Sequence, residues 1–304
     1  MSNVIETRQL RYRTGSFEIP GLDFTVPKGS VYGFLGPNGA GKTTTLRLLL
    51  GLLPPVAGTI SVLGHQVPGA AHRALADLGY VPEQPHFDNL LTVREVLEYQ
   101  SAFYQRWDWP FVELLLRELE LDGAQRFGRL SKGQKGKLMM LAALAQRPEL
   151  LVLDEPTDGL DPVARRDILT ALLEYVADRG ATVLISSHLV HELERICTWV
   201  GVMDHGRLVA ELPIERFRNG IKRLRVGSQP DVAPEALPFA LLGREPDGAS
   251  AETWIVRGWE PDMAAGLSAA GLSLRDVIDL DLEDAYVELL KSARSLHPEA
   301  ACSA

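Results

Sequence analysis

The stretch Gly36-Pro-Asn-Gly-Ala-Gly-Lys-Thr-Thr44 decides the fold. It matches the phosphate-loop pattern G-x-x-x-x-G-K-[ST] at Gly36, Gly41, Lys42 and Thr43. Gly36, Gly39 and Gly41 free the backbone to curl around Pro37, Asn38 and Ala40, so that several N–H groups converge on one anion. The run before it, 30–35, reads as a short buried strand, and 43–50 reads as a helix that ends at Gly51. A helix N-terminus adds unpaired donors and a positive dipole. In this reading the loop through Thr44 cradles a triphosphate, Lys42 neutralises its outer phosphates and Thr43 ligates magnesium. A glycine turn that matches by chance is the competing reading, and the flanking strand and helix count against it.

Other chemistry-bearing residues stand at the ends of apolar runs. Residues 150–155 form a buried strand closing on Asp154 and Glu155. Carboxylates at a strand's C-terminal end face the ligand crevice of an α/β sheet. Asp154 can hold magnesium through water, and Glu155 can orient or deprotonate an attacking water. The turn 157–162 then opens a helix to about 179, and the strand 181–187 ends at His188, whose imidazole can hydrogen-bond a γ-phosphate. His188 and His191 lack a third ligand, which rejects a metal pair. Gln84, where 79–84 runs from strand to loop, can accept from a metal-bound water and donate to a phosphate, although alone it reads as a polar loop residue. Ser131 is the N-cap of a helix beginning Lys132-Gly133-Gln134, a second anion-binding helix start. Tyr12, read in a turn between strands at 4–10 and 22–26, could stack on an adenine ring; on the residue alone a half-buried surface tyrosine is the heavier reading.

Composition bounds the rest. The 304 residues have room for one large domain and a smaller one, and 46% apolar residues supply a sizeable core. A net charge of -9 argues against a nucleic-acid partner. Cys197 and Cys302 offer no disulfide framework, and Cys197 reads as a core residue. No apolar run spans a bilayer and no secretory leader is read at the N-terminus, so a cytosolic chain is expected, with any membrane attachment coming from a partner.

Residues 92–121 read as two helices, the first capped by Thr92 with Glu95, the second started by Pro110. Phe103, Tyr104, Trp107 and Trp109 cluster at their joint; the core of a small helical subdomain is preferred over a socket for another protein's helix. A hairpin is expected around 204–206, and the composition shifts near 213 into an acidic α+β appendage with strands at 221–226 and 253–256 and helices at 260–270 and 282–291. The last ten or so residues are expected to be disordered.

In their order and spacing these signals resemble the ATP-binding subunit of an ABC (ATP-binding cassette) transporter, over about 60% of the chain from Tyr12 to Cys197. Gly36 to Thr44 looks like the family's Walker A, Gln84 its Q-loop, 130–134 its signature, and 151–156 its Walker B with the catalytic Glu155. Gly159-Leu-Asp161-Pro resembles the D-loop and His188 the switch histidine, and the match favours Tyr12 as the adenine-stacking aromatic. Lys132 departs from the commonest signature, which has glycine there. The resemblance implies a P-loop NTPase α/β sandwich at 1–212, a helical subdomain at about 88–140 and a C-terminal α+β extension at 213–304. It implies ATP and Mg2+, with Gln84, Thr43 and Asp154 near the metal and Glu155, His188 and Gln84 in catalysis. It further implies a head-to-tail dimer in which Ser131, Gly133 and Gln134 of one subunit close over ATP on the other. Separate membrane permease subunits would hold the chain on the inner face of the membrane, and the helix at 281–286 resembles cassettes serving exporters. The other class is a soluble cassette ATPase acting as a mechanical switch. A small-molecule kinase would explain the Walker A stretch but not 130–134.

Overall fold

The computed structural model describes residues 2–227, 237–248, 251–269 and 272–296. It begins with an antiparallel hairpin, β1 (Asn3–Thr14) and β2 (Phe17–Pro27). These strands outrun the expected 4–10 and 22–26: pairing continues to Thr14↔Phe17, and Tyr12 lies within β1 opposite Ile19. Cross-strand partners outweigh intrinsic strand preference at such positions. β3 (Val31–Leu35), buried throughout, leads through the glycine loop into α1 (Lys42–Leu49). β4 (Ala57–Val62) and β5 (His65–Val67) return to β1, completing a sheet of order β2-β1-β4-β5. α2 (Ala71–Leu75) and β6 (Leu78–Val81) follow.

The helices α3 (Val93–Ser101), α4 (Trp109–Glu118) and α5 (Lys132–Ala145) owe their starts to side-chain caps. Thr92 and Glu95 form the expected capping box, Asp108 accepts from the Phe111 N–H at 3.0 Å, and Ser131 forms a second box with Gln134. β7 (Leu150–Asp154), α6 (Pro162–Arg179), β8 (Thr182–Ser187), α7 (Val190–Ile196), β9 (Trp199–Asp204) and β10 (Arg207–Pro213) complete a six-stranded sheet of order β10-β9-β3-β8-β7-β6. All but β10 run parallel. β3, β7 and β8 are buried along their whole length, which suits apolar runs covered on both faces. Cys197 packs in the main core, where a side chain at Gly33 would meet its sulfur at 2.9 Å.

α8 (Ile214–Gly220) leads to β11 (Ile221–Gly227), β12 (Ala240–Pro246), β13 (Ala251–Arg257), α9 (Met263–Ala269) and β14 (Leu274–Asp279). Their antiparallel sheet, of order β12-β13-β11-β14, has its own small core around Leu224, Trp254, Val256 and Trp259. α10 (Leu282–Leu296) turns back onto α7, α8, β9 and β10. It buries Leu282, Ala285, Tyr286, Leu289 and Leu290 in the main core. The disorder expected at the C-terminus falls on 297–304, outside the described residues.

Candidate functional site

The strand order brings the ends of β3, β8 and β7 side by side, and with them the glycine loop, His188 and the pair Asp154–Glu155. A cavity of about 490 Å³ lies there, lined by Thr14, Phe17, Pro37, Asn38, Gly39, Gly41, Lys42, Thr43, Thr44, Glu83 and Glu155. Gly41 has φ 104°, and a side chain on it would meet the Phe17 ring at 2.6 Å. Only glycine suits that backbone and that gap. The N–H groups of Gly39 and Gly41 have no partner among the described residues, so the loop offers free donors where α1 begins.

Lys42 is buried and folds back over the loop, donating to the Gly36 carbonyl at 2.6 Å and the Pro37 carbonyl at 3.3 Å. It also lies 3.1 Å from Glu155 Oε1. The other Glu155 oxygen accepts from the His188 backbone N–H at 3.3 Å and lies 2.9 Å from His188 Nδ1. Glu155 itself takes a left-handed φ of 46°, a strained geometry of the kind that collects at functional sites. Asp154 is buried, and its Oδ1 accepts from Thr43 Oγ1 at 3.1 Å and Ser186 Oγ at 2.8 Å. Burial pushes the Asp154 carboxyl up, while the two hydroxyls pull it down. Tyr80, on neighbouring β6, is pushed up to about 12 by burial and then by the Asp154 charge.

A second cavity of about 250 Å³ shares Glu83 and Glu155 as walls and is lined on its other sides by Gln84, Lys132, Lys135, Gly136, Asp158 and neighbours. Lys132 Nζ lies 3.2 Å from Asp158 Oδ2, and Asp158 Oδ1 lies 3.9 Å from His188 Nε2. Groups of alternating charge type therefore run Lys132, Asp158, His188, Glu155, Lys42.

The sequence-flagged residues divide between places. Lys42, Thr43, Asp154, Glu155 and His188 converge on the glycine loop. Gln84 is exposed and lines the second cavity alone, while its neighbour Glu83 lines both. Ser131, Gly133 and Gln134 start α5 and line neither cavity. Asp161 accepts from the Val163 and Ala164 N–H groups, both at 3.0 Å, as the cap of α6. Tyr12 is half-buried outside the lining, and Phe17 is the aromatic wall. Sequence reasoning missed Phe17, Glu83 and Ser186. Ser186 was legible as a polar residue closing an apolar strand; the other two depend on hairpin and loop geometry.

The expected aromatic cluster splits in two. Trp107 stacks on Tyr104 at 6.0 Å and leans on Trp109 at 6.0 Å, and both tryptophans pack on the main core. Phe127, Phe87, Tyr99 and Phe103 form a separate edge-to-face ladder ending in solvent.

A glycine loop between a parallel strand and a helix, flanked by strand-end carboxylates, defines a P-loop nucleotide hydrolase of mixed α/β build. Comparison with known proteins narrows that class. The protein-family model for the ABC transporter matches residues 19–158. The Nod factor export ATP-binding protein I of Burkholderia lata is 43% identical over 213 residues, 68% of this chain and 70% of that protein. Its namesake from Neorhizobium galegae is 42% identical over 200 residues, 64% of this chain and 57% of that one. A solved ATP-binding subunit of an ABC transporter superposes with TM-score 0.65 at 30% identity, covering 71% of this chain and 92% of its own. The chain belongs to the ABC transporter family, as an ATP-hydrolysing subunit of the kind that powers transport.

Proposed function

We propose that this chain drives export through separate membrane-spanning subunits, working as one half of a head-to-tail dimer. The observation that carries the dimer is the separation of the two anion-binding helix starts. The Lys132 end of α5 and its cap Ser131 line no part of the glycine-loop cavity in their own chain. A second subunit would supply those donors, so that ATP is clamped between two helix N-termini and contributes to the contact. Hydrolysis then removes that contribution. Export is supported by the names of the relatives, which are export ATP-binding proteins. No helix among the described residues is long and apolar enough to cross a membrane, which agrees with a peripheral subunit on the inner face.

In this reading residues 1–212 form the cassette and 213–304 an accessory extension. The loop Gly36 to Thr44 holds the triphosphate, Lys42 pairs with its outer phosphates, and Tyr12 stacks on the base beside the Phe17 wall. The oxygen donors Thr43 and Asp154 fit magnesium: they already touch, and Asp154 is a buried carboxylate whose charge burial disfavours. Bound there, the ion would neutralise phosphate charge. Glu155 accepts a proton from the attacking water, and His188 holds the carboxylate in place through Oε2. Gln84 reports on the γ-phosphate from the second cavity.

The test is co-purification from membranes with identification of the bound integral protein, together with size-exclusion runs of Glu155→Gln with and without ATP. Capture of a multi-span protein and an ATP-dependent dimer support the proposal. A chain that stays monomeric with ATP and associates with no membrane protein defeats it in favour of the soluble switch.

A further inference from the structure

The C-terminal helix reaches the phosphate loop through one buried carboxylate. Arg294 on α10 donates from Nε to Asp204 Oδ2 at 2.9 Å and from a terminal nitrogen to Oδ1 at 3.2 Å. Asp204 ends β9 with only 5% of its side chain exposed, and His205 Nδ1 lies 3.0 Å from it. Paired charges so placed hold a defined geometry, because an unpaired buried carboxylate is costly. The turn that Asp204 begins touches the phosphate loop. The Gly206 N–H donates to the Ala40 carbonyl at 2.9 Å, and the Met203 carbonyl sits against Gly36 so closely that no side chain fits there. A side chain at Gly41 would also meet Met203 Cε at 3.0 Å. The β9–β10 turn is thus the buttress of the loop's outer curve, and Arg294 is the fork that pins the buttress. A cavity of about 450 Å³ beside the pair, lined by Asp204, His205, Leu289, Ser292, Ala293 and Arg294 among others, leaves space for the turn to shift once the pin is lost.

We infer that Arg294 is a positioning residue for ATP: acting through Asp204 and the 204–206 turn, the C-terminal extension holds the phosphate loop in its binding shape. The inference rests on Gly36–Thr44 being the triphosphate site. Its signature is a rise in KM for ATP with kcat largely kept, since the groups that perform hydrolysis lie elsewhere.

Steady-state ATPase assays and fluorescent-ATP titration of the full chain test it, using Arg294→Ala, Arg294→Lys, Asp204→Asn and the Arg294→Ala/Asp204→Asn double variant. Lys291→Ala is the control, since Lys291 pairs with Glu288 on the same helix away from the turn. Arg294→Ala is expected to raise KM about fivefold with kcat within about twofold, the size of an ordinary coupling between sites. Arg294→Lys should recover part of the loss, and the double variant should be no worse than Arg294→Ala. A KM for Arg294→Ala equal to that of the Lys291→Ala control overturns the inference, as does a loss confined to kcat. If Arg294→Ala does not fold, Arg294→Lys and Asp204→Asn decide by the same KM criterion. Lys42→Ala separates the two readings: its normal ATP binding would overturn the site itself, whereas its failure to bind beside a neutral Arg294→Ala overturns only the coupling.

Discussion

Lys42 and Glu155 form an ion pair, Nζ to Oε1 at 3.1 Å, with 6% and 10% of their side chains exposed. A pair so buried is costly to leave half-made, because removing one charge strands the other. Lys42 also spends donors on the Gly36 and Pro37 carbonyls. In the proposed site a phosphate that recruits this lysine would compete with Glu155, and its arrival would release Oε1 toward water.

Glu155→Gln should therefore stop turnover without weakening ATP binding. The amide cannot take a proton, and it no longer holds Lys42 as an ion pair. ATP affinity equal to or tighter than wild type is the expected result of a fluorescent-ATP titration. Hydrolysis at the wild-type rate, or a weaker complex, would sink the assignment.

Lys42→Ala fails earlier. Charge-assisted contacts of this type contribute about 1.5–3 kcal/mol, so ATP affinity should fall roughly tenfold to hundredfold. The same titration reads it, and unchanged affinity means that the loop is not the triphosphate site.

The aromatic ladder divides stability from docking. Phe87 is half-buried and packs edge-on against Phe127 at 5.5 Å, whereas Phe103 is 68% exposed. Phe87→Ala should cost about 1–3 kcal/mol of stability, and Phe103→Ala about 0.5 kcal/mol or less. If the ladder's open end meets the membrane partner, Phe103→Ala should weaken pull-down by about 2 kcal/mol while sparing basal ATPase. Denaturant melts and pull-downs of both variants decide, and normal capture by Phe103→Ala moves the dock elsewhere.

Lys132 and Asp158 are both exposed, so their pair is worth little to stability in salt. Lys132→Ala is expected to shift the melt by less than about 1 kcal/mol. Its effect should appear in turnover, because Asp158 then faces His188 without its cation. An ATPase rate and salt dependence identical to wild type would leave Lys132 as surface decoration.

Acid should loosen the helices through their caps. Asp108 is held below the usual carboxylate range first by the Phe111 N–H, Asp161 by the Ala164 N–H, and Glu95 by the Thr92 backbone. Folded values below unfolded ones mean stability that is present above about pH 4 and lost as the pH falls through the folded values. Buried Asp154 and half-buried Glu211 are pushed up by desolvation and act in the opposite sense. Thermal melts at pH 6 and pH 3.5 should show the Asp108→Asn/Asp161→Asn double variant less stable at pH 6 yet losing less on acidification. An equal loss in wild type and variant would place the acid sensitivity elsewhere.

The phosphate loop, the strand-end carboxylates and the capped helices were legible because each is local: a few adjacent residues carry both the shape and the chemistry. The aromatic wall was not. Phe17 reaches Gly41 from the turn end of the β1–β2 hairpin, a contact between residues distant in sequence that no local pattern announces. Glu83 lines both cavities and Gln84 only the second, a difference set by the conformation of the loop after β6 and not by any local pattern. The Arg294–Asp204 fork joins residues far apart in the chain, and neither stands in a motif.

The strand order also sets when the site can exist. β1, β2, β4 and β5 pair within the first 67 residues, so the N-terminal sheet closes early. β3 must wait: its register partners are Val183 to Ser187 on one side and Trp199 to Val202 on the other. Loop-closure entropy delays such distant pairings. On a ribosome the glycine loop would emerge long before the strands that fix it, and the Ala40 contact with Gly206 would come later still. The phosphate loop is therefore among the first functional segments synthesised and among the last to take its shape, so that nucleotide could stabilise only a chain already complete to the β9–β10 turn.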